Sequence, residues 1–173
     1  YKDIAEDFIN RYPVDFIIGS VHCIEESGFT AYNEIFYSLY HHTPTSFLEI
    51  YFYELKNLIR SGLFNSVGHI DGYKKYVREH WDINEMRKIS HRYFPEIFQL
   101  MAEKNLGFEI NTSAMRIGFG EYYPSYSIIE IARDNGAKVA SFGSDAHRVC
   151  DIGFHIEEAI KRAQEIGITI DIR

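Results

Sequence analysis

DFIIGSVH, residues 15–22, is a short apolar run from Phe16 to Val21 that stops on a histidine. With no polar alternate along it, the run suits a strand buried on both faces rather than one that faces water. LFNSVGHID (63–71) repeats the arrangement, with an apolar stretch over 64–68 and a histidine just past it. LGFEINT (106–112), AKVASFGSD (137–145) and GITIDI (167–172) add three more runs of the same kind.

Helical patterns separate these runs. Ile4, Phe8 and Ile9 recur at helical spacing over 3–11, and Pro13 ends that stretch. Further helices are predicted over 32–40, over 47–60 with Gly62 just past its end, and over 84–104 with Asp82 as cap. Two more are expected over 125–135, opened by Ser125, and over 155–165. Strands that alternate with helices and lack a polar face form parallel sheets covered by helices, so the fold class is α/β. No repeat of fixed period and no linker-like segment interrupts the pattern, which makes 1–173 one domain.

Composition narrows the function. Apolar residues make up 46% and charged residues 25%, a globular balance. The formal net charge of -7 gives no general attraction for a phosphate backbone, so no nucleic-acid partner is expected. A small phosphorylated substrate is still compatible, because a local cation or metal can hold it. No apolar run approaches the roughly 20 residues of a membrane span, and no secretory signal opens the chain. Cys23 and Cys150 form no framework, which suits two reduced, partly buried thiols in a cytoplasmic protein.

The chemistry gathers at strand ends. The run 16–21 leads into His22, 64–68 into His69, and 137–143 into Ser144, Asp145 and His147. In parallel α/β folds these C-terminal ends share one face. Imidazole nitrogens and a carboxylate brought together there are the ligand set of a hydrolytic Zn, Mn or Fe site. His41, His42, His80, His91 and His155 read as surface or helix-end residues. Arg116 lies in the loop after 106–112, where it can clamp a phosphate or pair with Glu121. No residue reads as a covalent nucleophile, and Cys23 reads as a packing residue.

Five segments together resemble the PHP family, and within it the histidinol phosphatases: DFIIGSVH (15–22), VGHID (67–71), YFPEIFQLMAEKNLGFEINTSAMR (93–116), GEYYPS (120–125) and SFGSDAHRVCDIG (141–153). The resemblance covers nearly the whole chain. It implies a partial, distorted (β/α)7-type barrel of parallel strands covered by helices, holding two to three divalent metal ions (Zn, Mn or Fe). It further implies a phosphomonoesterase acting on L-histidinol phosphate in histidine biosynthesis. The alternatives are a phosphoesterase with another small phosphorylated substrate, or a non-catalytic fragment. On this resemblance His22 and His69 bind one metal, Asp145 a second and His147 a third. Arg116, and less directly Arg78, would hold the substrate phosphate. The family's N-terminal H-x-H motif, a further His and a bridging Glu have no counterpart here. The expectation is therefore the C-terminal portion of a PHP domain, lacking its first strands, with only part of the ligand set.

Overall fold

The computed structural model describes residues 2–25 and 27–172. In chain order its elements are α1 (Lys2–Arg11), β1 (Ile18–Gly19), β2 (Cys23–Ile24), β3 (Ser27–Gly28), α2 (Ile35–His41) and α3 (Pro44–Ser61). There follow β4 (Ser66–Val67), α4 (Lys74–Val77), α5 (Ile83–Ser90), α6 (Phe94–Glu103), β5 (Gly107–Asn111) and α7 (Ser113–Arg116). The chain closes with α8 (Tyr126–Asp134), β6 (Lys138–Gly143), a 3-10 turn (Val149–Asp151), α9 (Ile156–Ile166) and β7 (Thr169–Ile170).

The strands β1-β4-β5-β6-β7 form one sheet, in that order, and every pairing in it is parallel. The α/β class expected from the apolar runs is what the chain adopts. Among the described residues β1 and β7 are the edges of this arc. The central strand β5 is buried at every position, as a strand covered on both faces must be. Phe98 of α6 packs its ring on Phe108 of β5, and Phe94, Ile97 and Met101 of α6 with Ile128, Ile129 and Ala132 of α8 are buried in the same core. The longest helix, α3, buries Phe47, Leu48, Tyr51, Phe52, Leu55 and Ile59. Each large apolar side chain removed from water in this way contributes about 1.5–3 kcal/mol.

Local chemistry sets the ends of α3. Thr43 caps it through a reciprocal box with Ser46, Pro44 occupies the first turn, and Gly62 closes it in the left-handed region at φ 71. Asp82 caps α5 as expected, its Oδ1 accepting from the Asn84 amide at 2.8 Å.

Several expectations are corrected. The helix expected over 84–104 is two helices, α5 and α6. Pro95 lies in the first turn of α6, where its missing N–H is harmless, whereas inside a continuous helix it would break the ladder. The strand expected over 16–21 pairs only at Ile18–Gly19, because the Asn65 side chain takes the Ile17 amide at 2.8 Å. Beyond it lies an unforeseen antiparallel hairpin, β2 with β3. No residue of α1 is buried: Ile4 is 70% and Phe8 59% exposed. Both cysteines are free, as expected, but exposed rather than partly buried, so Cys23 has no packing role. Among the described residues no helix is long and apolar enough to cross a membrane.

Candidate active site

A cavity of about 410 Å³ opens at the C-terminal ends of the sheet strands, lined by His22, His69, Glu109, Asn111, Asp145 and His147 with Lys75, Ser113 and Tyr123. The topology explains the gathering. His22 lies three residues past β1, His69 two past β4, Asn111 ends β5, and Asp145 lies two past β6. Four parallel strands deliver these side chains to one rim.

His22 and His69 form the closest pair, their ring centroids 5.0 Å apart in an edge-on arrangement. His22 Nδ1 lies 3.0 Å from the Thr30 hydroxyl, which leaves Nε2 for a ligand. The His69 backbone sits in the left-handed region at φ 26, and its amide donates to Glu109 Oε2 at 3.0 Å. Burial pushes both imidazoles below their ordinary range; His69 reinforces this at His22, and Asp145 opposes it at both. Both are thereby held as neutral imidazoles, the form that binds metal.

Asp145 follows β6 at φ 49, also left-handed. His147 is largely exposed, with Nδ1 2.9 Å from the Asp145 carbonyl oxygen. All four ligand candidates therefore line one cavity, and their donor types suit a divalent ion of the Zn class. Among the described residues, however, no three His, Cys, Asp or Glu side chains converge closely enough to hold an ion. The site consists of two facing halves, His22 with His69 and Asp145 with His147.

Both arginines expected at the phosphate donate to backbone carbonyls. Arg116 donates to the Ser144 carbonyl and, at 2.8 Å, to that of Asp145, with Asp151 3.9 Å away. It braces the segment that carries Asp145. Glu121, the other partner considered for it, instead binds Lys74 at 3.2 Å and Arg87 at 2.7 Å. Arg78 donates to the Ile117 carbonyl at 2.8 Å and lies over the Phe119 ring. Neither lines the cavity. The Lys or Arg that does, among the described residues, is Lys75, presented by the single turn α4 that sequence periodicity had not revealed.

Glu109 was legible only as an acidic residue inside an apolar strand. It is 6% exposed, and burial holds its carboxyl above the ordinary range, with hydrogen bonds from Asn111 and His69 offsetting only part of the rise. It occupies a slot that only glycine leaves open, since a Cβ at Gly143 would lie 2.0 Å from Glu109 Oε1. Beneath the site Lys74 and Asp71 form a buried ion pair at 2.7 Å, and Asp71 also accepts from the Ser125 amide at 3.1 Å. Near it, Asp71 Oδ1 and the Tyr123 hydroxyl are buried with no hydrogen-bond partner among the described residues. His41, His42, His80, His91 and His155 are absent from the cavity lining; His42 faces Glu25 at 3.3 Å.

Several known proteins resemble this chain in sequence or in fold. A Deinococcus radiodurans protein named probable histidinol-phosphatase is 29% identical over 167 residues, covering 96% of this chain and 60% of that protein. A Thermotoga maritima protein of the same name is 31% identical over 104 residues, 60% of this chain and 42% of that one. A crystal structure from Listeria monocytogenes superposes with a TM-score of 0.76 at 24% identity, covering 91% of this chain and 63% of that one. A Lactococcus lactis histidinol phosphate phosphatase, crystallised with Zn, L-histidinol and phosphate, gives a TM-score of 0.73 at 22% identity over 98% of this chain and 63% of that one. The chain thus spans about three-fifths of the length of the Deinococcus relative. The PHP domain family itself matches residues 3–113, the stretch that carries β1 through β5 and two of the cavity histidines, His22 and His69. By that match the chain belongs to the PHP domain family.

Proposed function

We propose that the cavity is the site of a metal-dependent phosphomonoesterase that hydrolyses L-histidinol phosphate to L-histidinol and phosphate, a step of histidine biosynthesis. The observation that carries this reading is the lining of one cavity by His22, His69, Asp145, His147 and Lys75. The likeness to relatives named histidinol-phosphatase supports the choice of substrate.

His22 and His69 would hold one divalent ion (Zn, Mn or Fe), with Asp145 and His147 serving one or two more across the cavity. Such ions supply hydroxide near neutral pH and offset the charge of a phosphoryl group. Lys75, rather than Arg116 or Arg78, is the cation we assign to the phosphate oxygens, because the two arginines already donate to backbone carbonyls. Arg116 keeps the Asp145 segment in place, and Thr30 orients the His22 ring.

A second reading, a PHP domain with an incomplete and non-catalytic site, is favoured by one observation: no three ligand side chains converge among the described residues. Elemental analysis of the purified chain, combined with phosphate release from L-histidinol phosphate, separates the two. Bound Zn, Mn or Fe with hydrolysis that disappears in a His22→Ala/His69→Ala variant supports the enzyme. A chain that takes up no metal and releases no phosphate assigns it to the second reading.

A further inference from the structure

Lys74 and Lys75 are neighbours on the single turn α4, yet their ammonium groups go to different places. Successive helical residues point about 100° apart, so one turn can hold one lysine in the interior and offer the next to a cavity. Lys75 lines the cavity. Among the described residues it has no ion pair, and its Nζ lies 5.1 Å from the centroid of the Tyr76 ring. Nothing of its own fixes where it stands.

Lys74 is the reverse case. Its side chain is 4% exposed and absent from the cavity lining. Each of its three N–H groups has an acceptor: Asp71 Oδ2 at 2.7 Å, Glu121 Oε1 at 3.2 Å and the Tyr122 carbonyl at 3.3 Å. Asp71 belongs to the loop after β4, which carries His69, and Glu121 and Tyr122 belong to the loop after α7. That second loop is tied to β5, where Asn111 and Tyr123 exchange backbone hydrogen bonds at 2.7 and 2.9 Å. Tyr123 also lines the cavity. Lys74 thus joins two walls of the cavity without entering it.

A four-residue turn has no helical stability of its own, and no side chain caps the start of α4. Its direction is set from outside, by the buried Val77 and Lys74. A buried ion pair is a weak source of stability, since apolar side chains of like volume often replace one without loss. What it supplies here is direction, because three acceptors at fixed points leave the ammonium one place to sit. We propose that Lys74 is a positioning residue: by joining Asp71 to the 121–122 segment it fixes α4 so that Lys75 faces the phosphate. The proposal rests on reading Lys75 as the phosphate cation of a phosphomonoesterase. Lys74 touches neither substrate nor metal in this scheme and acts through Lys75.

Calorimetric titration of the metal-loaded chain with inorganic phosphate tests this by a double-mutant cycle. Lys75→Ala should weaken phosphate binding by about tenfold, the loss of one charge-assisted hydrogen bond. Lys74→Met should weaken it by a similar factor with metal content unchanged. In the Lys75→Ala background the same substitution should cost nothing more. If circular dichroism shows that Lys74→Met does not fold, Lys74→Met/Asp71→Asn takes its place, since Asn keeps an acceptor for the Ser125 amide and removes the stranded charge. A role in stability alone would leave the phosphate affinity of the folded variant unchanged, and that result overturns the proposal. A loss that adds to that of Lys75→Ala, or a loss of bound metal, overturns it too, because Lys74 would then act by another route. Lys75→Ala without effect on phosphate overturns the phosphate reading of Lys75 and this proposal together. An effect of Lys75→Ala with none of Lys74→Met overturns the proposal alone.

Discussion

Arg116 holds the backbone carbonyl of Asp145 at 2.8 Å and also takes the carbonyl of Ser144. These bonds anchor a segment whose Asp145 backbone is left-handed, at φ 49. Arg116→Ala should therefore loosen Asp145 and His147 and weaken metal uptake by about tenfold, the cost of leaving such carbonyls without their donor. Arg116→Lys should not restore it, because one ammonium cannot reproduce the guanidinium fork. Metal titration followed by elemental analysis provides the check. Unchanged metal affinity with a raised KM would return Arg116 to the role of phosphate clamp.

The buried histidines His22 and His69 predict how stability depends on pH. Burial lowers the imidazole pKa of both His22 and His69 in the folded chain. The unfolded chain then binds more protons below about pH 6.5, so acid favours unfolding. Stability of the metal-free chain should be level above that pH, then fall as the pH drops through 6.5 toward the folded values. Urea midpoints at a series of pH values should show this fall, and His22→Gln/His69→Gln should flatten it. An equally steep fall in the double variant would place the effect in other groups.

The buried Lys74–Asp71 pair makes a third prediction. Lys74→Met leaves a carboxylate with no counter-ion in the interior and should cost about 3–5 kcal/mol. Adding Asp71→Asn should recover part of this loss, since the stranded charge goes with it. Glu121 also faces Lys74 and would remain unpaired on that side, so recovery should be partial. Denaturant midpoints of the single and double variants measure the coupling.

On α1 the apolar residues Ile4 and Phe8 face solvent, and the neighbouring β1 is an edge strand. Exposed apolar faces and unpaired edges bring chains together. The 173-residue chain should associate in solution, and Ile4→Lys with Phe8→Glu should shift it toward monomer. Light scattering decides the point. A monomeric wild type would mean that this face tolerates water without a partner.

Much of the architecture was legible because short apolar runs that alternate with helical patterns fit buried parallel strands. His22, His69, Asp145 and His147 follow such runs and do reach one cavity. The contacts of Arg116 and Arg78 were not legible. Spacing placed Arg116 near the right rim, but it is carbonyl oxygens that take its donors and those of Arg78, and carbonyls carry no signature in sequence. Lys75 was missed because a single helical turn, Lys74–Val77, is too short for periodicity to register. The split between α5 and α6 could have been read from Pro95, which a continuous helix over 84–104 would not accommodate.

The positive φ angles at His69 and Asp145 restrict which amino acids can serve at these two positions. Outside glycine, the left-handed region is entered most readily by Asn, Asp and His. Only two of these, Asp and His, are strong metal ligands at neutral pH. Backbone shape and coordination chemistry thus select the same short alphabet, and a mutational library at position 69 or 145 should be filtered twice. Glu25 shows that a glutamate can enter this region, at φ 45, but at a cost of about 1–2 kcal/mol. Glu or Cys at either place would thus bring a competent donor atom at the expense of backbone strain.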